Sequence, residues 1–335
     1  MVNKKTLPNI LVLFCGGTIV MQADRNGTLQ TQTKAQAIKT LLNLEPKVHE
    51  IAKLSVTYID NIDSSNINTN HWDAIAKTIA QQYAHYDGFV ITHGTNTMAY
   101  TASALSFALP NLGKPVVMTG AQIPGYKIES DARRNFINAV RVASANIAGV
   151  YVVFDEEVML GVRASKVSES KLDAYETINA EDAGEIRTSL RLQTRRKRHA
   201  RKLQIMTGFA SNIAVLTLTP TTQPRTIGAL INGGVRGIIL RGYGPGDVGY
   251  NFLPELQCAK QKNIPVIMMS QCQEGTTAME MNDVGLQALQ AGVIQGYDMT
   301  VECTSTKLMW ILHRNTNLSK IKQLMRKNFF GEIAC

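Results

Sequence analysis

Two segments of this chain end an apolar run in a cluster of glycine and hydroxyl residues, and each presents a threonine. One is Leu11-Val12-Leu13-Phe14-Cys15-Gly16-Gly17-Thr18; the other is Gly88-Phe89-Val90-Ile91-Thr92-His93-Gly94-Thr95-Asn96-Thr97-Met98. An apolar run that stops this way reads as a buried strand feeding a functional loop. Thr18 and Thr95 would then stand at the carboxyl ends of strands, the edge where open α/β sheets bind ligands. Two threonines so presented suit covalent or general-base chemistry on a small molecule. The plainer alternative is a pair of turn-forming hydroxyls that cap helices. Gly16 and Gly17 permit a sharp turn and a close backbone approach. No Gly-x-Gly-x-x-Gly and no Gly-Lys-Ser/Thr follows, which argues against dinucleotide and P-loop readings.

The elements that must position these loops alternate in type. Strand-like runs fall at 10–14, 53–62, 88–92, 115–119 and 149–154, and helix-like segments at 34–44, 68–86, 97–109 and 130–148. That alternation predicts a mostly parallel sheet with helices on both faces. A basic stretch interrupts it, after which the β-α pattern resumes at 213–218, 223–232, 237–240, 253–263, 265–269 and 284–291. Helices at 306–312 and 318–328 close the chain. The expectation is an α/β protein with a larger amino-terminal catalytic domain over 1–186, a basic linker over 187–204, and a smaller carboxy-terminal α/β domain over 205–335, also with a parallel sheet.

Composition narrows the function. The 335 residues are 44% hydrophobic and 18% charged, enough for a substantial core. No apolar stretch approaches the roughly 20 residues of a membrane span, and the short run behind the amino-terminal basic patch reads as a first strand rather than a signal peptide. The five cysteines, at 15, 258, 272, 303 and 335, are widely spaced and suit reduced thiols in a cytoplasmic protein. No cysteine or histidine cluster suggests a metal. The net charge of +9 is concentrated in Arg187, Arg191, Arg195, Arg196, Lys197, Arg198, Arg201 and Lys202. No aromatic residue interleaves with them, so a solvated inter-domain loop is expected rather than a nucleic-acid surface.

The stretch 93–107, taken with Gly16-Gly17-Thr18-Ile19, resembles the bacterial-type L-asparaginase family in its cytoplasmic branch. Matching stretches continue in order: Asp63-Ser64-Ser65, Thr119-Gly120-Ala121-Gln122-Ile123-Pro124, Ser130-Asp131, Gly161-Val162-Arg163-Ala164-Ser165-Lys166, Arg241-Gly242-Tyr243-Gly244 and Asp298-Met299-Thr300-Val301-Glu302. The resemblance implies hydrolysis of L-asparagine to L-aspartate and ammonia through a threonine acyl-enzyme. Thr18 would be the nucleophile, with Thr95, Asn96 and Lys166 in an activating cluster. A threonine hydroxyl needs a neighbouring base, and a lysine serves only where its neutral form is accessible, which burial promotes. Backbone amides near Thr18 and Thr95 would form the oxyanion hole. Asp63, Ser64, Ser65, Gly94 and Ala121 would bind substrate, and His93 reads as structural. The resemblance also implies a homotetramer of two close dimers, no cofactor, and an effector pocket that Arg163, Arg241 and Cys272 would line.

Two positions depart from that pattern. The family's usual aspartate at 96 is Asn96, which removes a counter-charge both to Lys166 and to the substrate's α-ammonium. The loop 21–31, where a catalytic tyrosine is expected, has Thr28 at the corresponding place and no tyrosine; Tyr126 could substitute only if its own loop folded over the site. The competing readings are an amidase of a different small amide, the amidase component of a tRNA-dependent amidotransferase, and a ligand-binding relative with impaired turnover. That amidotransferase component carries an extra amino-terminal domain in the family, whereas this chain opens directly on the first strand.

Overall fold

The computed structural model describes residues 6–194 and 196–334. The amino-terminal basic patch at Lys4 and Lys5, Arg195 of the basic run and Cys335 lie outside the described residues. Two compact units emerge.

The first unit begins with β1 (Asn9–Phe14), followed by a ribbon of β2 (Gln22–Ala23) and β3 (Leu29–Gln30) and by α1 (Lys34–Leu42). Then come β4 (Lys53–Tyr58), α2 (Thr69–Gln82), β5 (Gly88–Thr92), α3 (Met98–Ala108), β6 (Pro115–Thr119), α4 (Ala132–Ala143) and β7 (Gly149–Phe154). The strands β1, β5, β6 and β7 are almost continuously buried, as strands covered on both faces must be. They pair in parallel in the order β7-β6-β5-β1-β4. The chain runs from β1 outward to β4, then crosses to the other side of β1 to form β5. The sheet therefore reverses its winding between β1 and β5, and a ligand crevice is expected outside the carboxyl ends of those two strands.

Sequence periodicity did not reveal the remaining strands of this unit. They are β8 (Glu157–Leu160), β9 (Ala164–Lys166), β10 (Tyr175–Thr177), β11 (Gly184–Ile186) and β12 (Leu190–Leu192). β8, β11 and β12 extend the main sheet antiparallel, while β9 and β10 form a hairpin of their own. The basic stretch is therefore in part a sheet strand, over 190–192, while Arg187, Arg191, Lys197, Arg201 and Lys202 are exposed to solvent. Residues 190–192 cap the sheet edge, and Arg187 and Arg191 pair with Glu185 at 3.0 and 3.6 Å. Further along, Arg198 donates to the carbonyls of Ala145 and Ala143, and the backbone N–H of Ala148 donates to the Arg196 carbonyl. The physical reason is an otherwise open sheet edge and open loop carbonyls, both of which need partners.

The second unit starts at Gly208 and includes Ile178–Ala180. Its strands β13 (Ile213–Thr217), β14 (Gly237–Gly242), β15 (Val266–Ser270) and β16 (Ile294–Gln295) form a four-stranded parallel sheet in sequential order. They alternate with α5 (Arg225–Asn232), α6 (Leu253–Gln261) and α7 (Asp283–Gln290), and α8 (Val301–Arg314) and α9 (Leu318–Met325) follow. The helix expected at 306–312 is twice as long, because Thr300 caps it by accepting from the Cys303 N–H. Its amino-terminal half is buried and polar, which hid the apolar period. Lys307 and Glu332 are both fully buried and pair at 2.8 Å. The Lys307 ammonium also donates to the carbonyls of Met325 and Lys327, and Glu332 accepts from the backbone of Phe329 and Phe330. Trp310 packs edge-on against Phe329 at 5.5 Å. Among the described residues no helix is long and apolar enough to cross a membrane.

Removing one partner of a buried, fully bonded ion pair leaves an uncompensated charge. Glu332→Ala is expected to destabilise the second unit by about 3–5 kcal/mol, and Lys307→Met with Glu332→Leu by clearly less. Chemical denaturation followed by tryptophan fluorescence measures both.

Candidate active site

A short loop leaves each strand at the winding reversal. Phe14 and Thr92 are register partners, so the loops after β1 and β5 depart at the same level. Gly16 and Gly17 take φ of 88° and 95°, in the left-handed region that favours glycine. A Cβ on Gly17 would lie 2.7 Å from the Gly94 nitrogen, so the two loops touch backbone to backbone. Thr18 and Thr95 each open a short 3-10 helix, and such helices leave their leading N–H groups without intrahelical acceptors. Behind Thr95 runs α3, buried at nearly every position with small side chains against its neighbours.

A cavity of about 210 Å³ lies over these loops. That is below the roughly 300–1,000 Å³ typical of pockets for drug-sized ligands, so its occupant is small. Gly17, Thr18, Asp63, Ser64, Gly94, Thr95, Asn96 and Lys166 line it, together with Met21, Gln122 and Glu169. Residues 63–66 lie between β4 and α2, where the Asp63 carboxylate accepts from the Ser65 N–H at 2.7 Å. The Thr97 hydroxyl donates to the Ser64 carbonyl at 2.8 Å, tying this loop to the one after β5.

Lys166, at the end of β9, donates to Thr95 Oγ1 at 2.8 Å and to Asn96 Oδ1 at 3.2 Å. Asn96 Nδ2 in turn donates to Ser65 Oγ at 3.3 Å. The Thr95 hydroxyl donates to Gln122 Oε1 at 3.1 Å, and the Tyr175 hydroxyl donates to the Thr95 carbonyl. Partial burial lowers the pKa of Lys166, and the nearby Glu169 opposes that shift. Its neutral form is thus more accessible than that of a surface lysine. A small turn of the Thr95 hydroxyl from Gln122 toward Nζ would give the lysine a proton to accept.

His93 is fully buried, and burial lowers its pKa to about 4. Neutral His93 donates from Nδ1 to the Gly94 carbonyl at 2.7 Å. Its Nε2 accepts from the Thr101 hydroxyl at 3.0 Å, which itself accepts from the Trp72 indole N–H at 3.0 Å. His93 therefore braces the β5 loop, as the sequence indicated.

Ala121 is buried and does not line the cavity; its neighbour Gln122 does. Ser65 borders the site through Asn96. Thr28 sits in the turn of the β2–β3 ribbon, bonded to Asp24, and Tyr126 is 47% exposed; neither lines the cavity. Arg163 is buried in the first unit. In the second, Arg241 donates to the Gln271 carbonyl at 3.0 Å while its buried Nε has no hydrogen-bond partner among the described residues, and Cys272 is exposed. The sequence reading missed Gln122 and Glu169. Asp131 holds Gln122 by accepting from the backbone N–H groups of Gln122 and Ile123. The only signal for Gln122 was its place beside Ala121 in a matching stretch, and Glu169 had none.

Residues 9–198 match the family model for the asparaginase amino-terminal domain, and residues 212–325 match that for the glutaminase/asparaginase carboxy-terminal domain. The chain is 37% identical to L-asparaginase 1 of Escherichia coli, covering 97% of this chain and 98% of that protein. It is 32% identical to a glutamyl-tRNA(Gln) amidotransferase component of Pyrococcus abyssi, covering 99% of this chain and 78% of that one. The solved thermostable L-asparaginase from Thermococcus kodakarensis superimposes with a TM-score of 0.90 at 34% identity, covering 98% of this chain and 99% of that one.

The Lys166 environment yields a titration test. Its midpoint is expected below the usual lysine range. Asn96→Asp places an anion beside the ammonium, favours the charged form and moves the midpoint to higher pH. Carbon-13 NMR of the labelled lysine Cε across pH measures both.

Proposed function

This chain belongs to the asparaginase family and is an amidohydrolase, and from that premise we propose that it hydrolyses L-asparagine to L-aspartate and ammonia. The observation that carries the reading is Lys166 Nζ at 2.8 Å from Thr95 Oγ1, in a small polar cavity that Thr18 also lines. The Thr18 hydroxyl attacks the side-chain amide carbon, and ammonia leaves as an acyl-enzyme forms. Thr95 and Lys166 take the Thr18 hydroxyl proton, return it to the amide nitrogen as ammonia leaves, and then activate the water that releases the acid. Leading N–H groups at Thr18 and Thr95 stabilise the oxyanion. The loop of Ser64, with Asp63 and Ser65 beside it, holds the α-carboxylate of the substrate, Gly94 borders the bound substrate, and the backbone at Ala121 contacts the amide.

Assembly and regulation follow from the same kinship. A cytoplasmic homotetramer of two close dimers is the proposed form. Arg163, Arg241 and Cys272 are proposed effector positions. The Nε of Arg241, with no hydrogen-bond partner among the described residues, supports a carboxylate ligand, which a guanidinium fork binds through both oxygens. Strictly hyperbolic kinetics over a wide asparagine range would count against that effector.

Thr18→Ala is expected to reduce ammonia release from asparagine by at least about a thousandfold while the fold is kept. Lys166→Met should lose about a hundredfold or more for want of a base. A coupled ammonia assay reads both, and wild-type turnover in Thr18→Ala would remove the nucleophile assignment. Light scattering is expected to give the mass of four chains; an active monomer would contradict the assembly.

A further inference from the structure

The charges around the cavity do not match a cationic substrate group in the usual way. Asn96 has no charge, and its amide is already occupied: Oδ1 accepts from Lys166 at 3.2 Å and Nδ2 donates to Ser65 at 3.3 Å. Two acidic residues do line the cavity, Asp63 and Glu169, and both are exposed to solvent. Asp63 is engaged at the start of its loop, where it accepts from the Ser65 N–H at 2.7 Å. The Glu169 carboxylate takes no hydrogen bond and no ion pair from any described residue.

Glu169 is nonetheless held in place through its backbone. The Gln122 side-chain amide donates to the carbonyls of Glu169 and Lys171 at 3.0 and 3.1 Å. Ser168 Oγ accepts from the N–H of Ser170 and Lys171, and the Val167 N–H donates to the Ala174 carbonyl at 2.9 Å. The same Gln122 accepts from Thr95, so one side chain fixes both the activating threonine and the loop that carries the free carboxylate. The backbone is braced, while the carboxylate is exposed, takes no hydrogen bond from a described residue and acts on the nearby Lys166 ammonium through its charge.

We propose that Glu169 is a specificity-determining residue that binds the α-ammonium of an amino-acid amide, supplying from the β9–β10 loop the anion that position 96 lacks. The inference rests on the amide-hydrolase reading above and names how that site selects its substrate. The selected class is amides that carry an ammonium next to the carboxylate. Amides of the same length without the ammonium would meet an uncompensated carboxylate and bind less well.

The test compares asparagine with 3-carbamoylpropanoate, which keeps the carboxylate and the amide and lacks the α-ammonium. Glu169→Gln preserves shape and removes the charge. It also lowers the Lys166 pKa, but Lys166 acts on both substrates, so the ratio of the two kcat/KM values cancels that effect. The ratio of asparagine to 3-carbamoylpropanoate is expected to fall by about ten- to a hundredfold, the value of a charge-assisted contact, chiefly through a higher KM for asparagine. Asn96→Asp added to Glu169→Gln should restore most of the ratio by returning an anion to the cavity. An unchanged ratio, or an equal loss on both substrates, overturns the role of Glu169 and leaves the hydrolase reading standing. A wild-type protein that releases ammonia from neither compound overturns the asparagine reading itself, and this inference with it.

Discussion

The site depends on one contact between two backbones. Gly17 approaches the peptide between His93 and Gly94 so closely that a single added carbon would stand 2.7 Å from its atoms. Parallel pairing of β1 with β5 brings the two loops to one level, and the absence of side-chain bulk lets them meet. Thr18 and Thr95, remote in sequence, thereby line one cavity. Everything else steadies this contact: α3 packs behind Thr95, the Ser64 carbonyl accepts from Thr97, and the Gly94 carbonyl accepts from His93.

The electrostatics of the site follow from what is buried beside that contact. His93 is enclosed and spends both ring nitrogens on neighbours, so it contributes shape without charge near neutral pH. Lys166 is only partly buried and keeps a pKa that can move with its surroundings. A rigid neutral scaffold with one adjustable base beside it lets charge changes at 96 and 169 act on protonation and on ligand affinity together.

Much of this was legible in the sequence, for definite reasons. The strands β1, β5, β6 and β7 are covered on both faces, so they read as unbroken apolar runs. The threonine loops announced themselves through glycine and hydroxyl clusters. The short antiparallel strands between 157 and 192 did not, because three- and four-residue strands show too little alternation to register. The strand at 190–192 inside the basic run did not register because backbone pairing at a sheet edge leaves no mark in side-chain chemistry. Lys166 and Ser64 were found only through the resemblance. Gln122 and Glu169 escaped because their importance lies in where the fold places their side chains, beside Thr95 and at the cavity, and a residue type does not record that.

The chain has two tryptophans. Trp72 ends the hydrogen-bonded relay through Thr101 and His93 to the Gly94 carbonyl, in the first unit. Trp310 lies against Phe329 in the second, beside the buried Lys307–Glu332 pair. Each unit thus carries its own optical reporter. One indole senses the loop that holds Thr95, and the other senses the anchoring of the carboxy-terminal segment. Replacing either by phenylalanine would leave a single-wavelength view of one unit, so that events at the cavity and loosening of the carboxy-terminal segment can be watched separately in the same molecule.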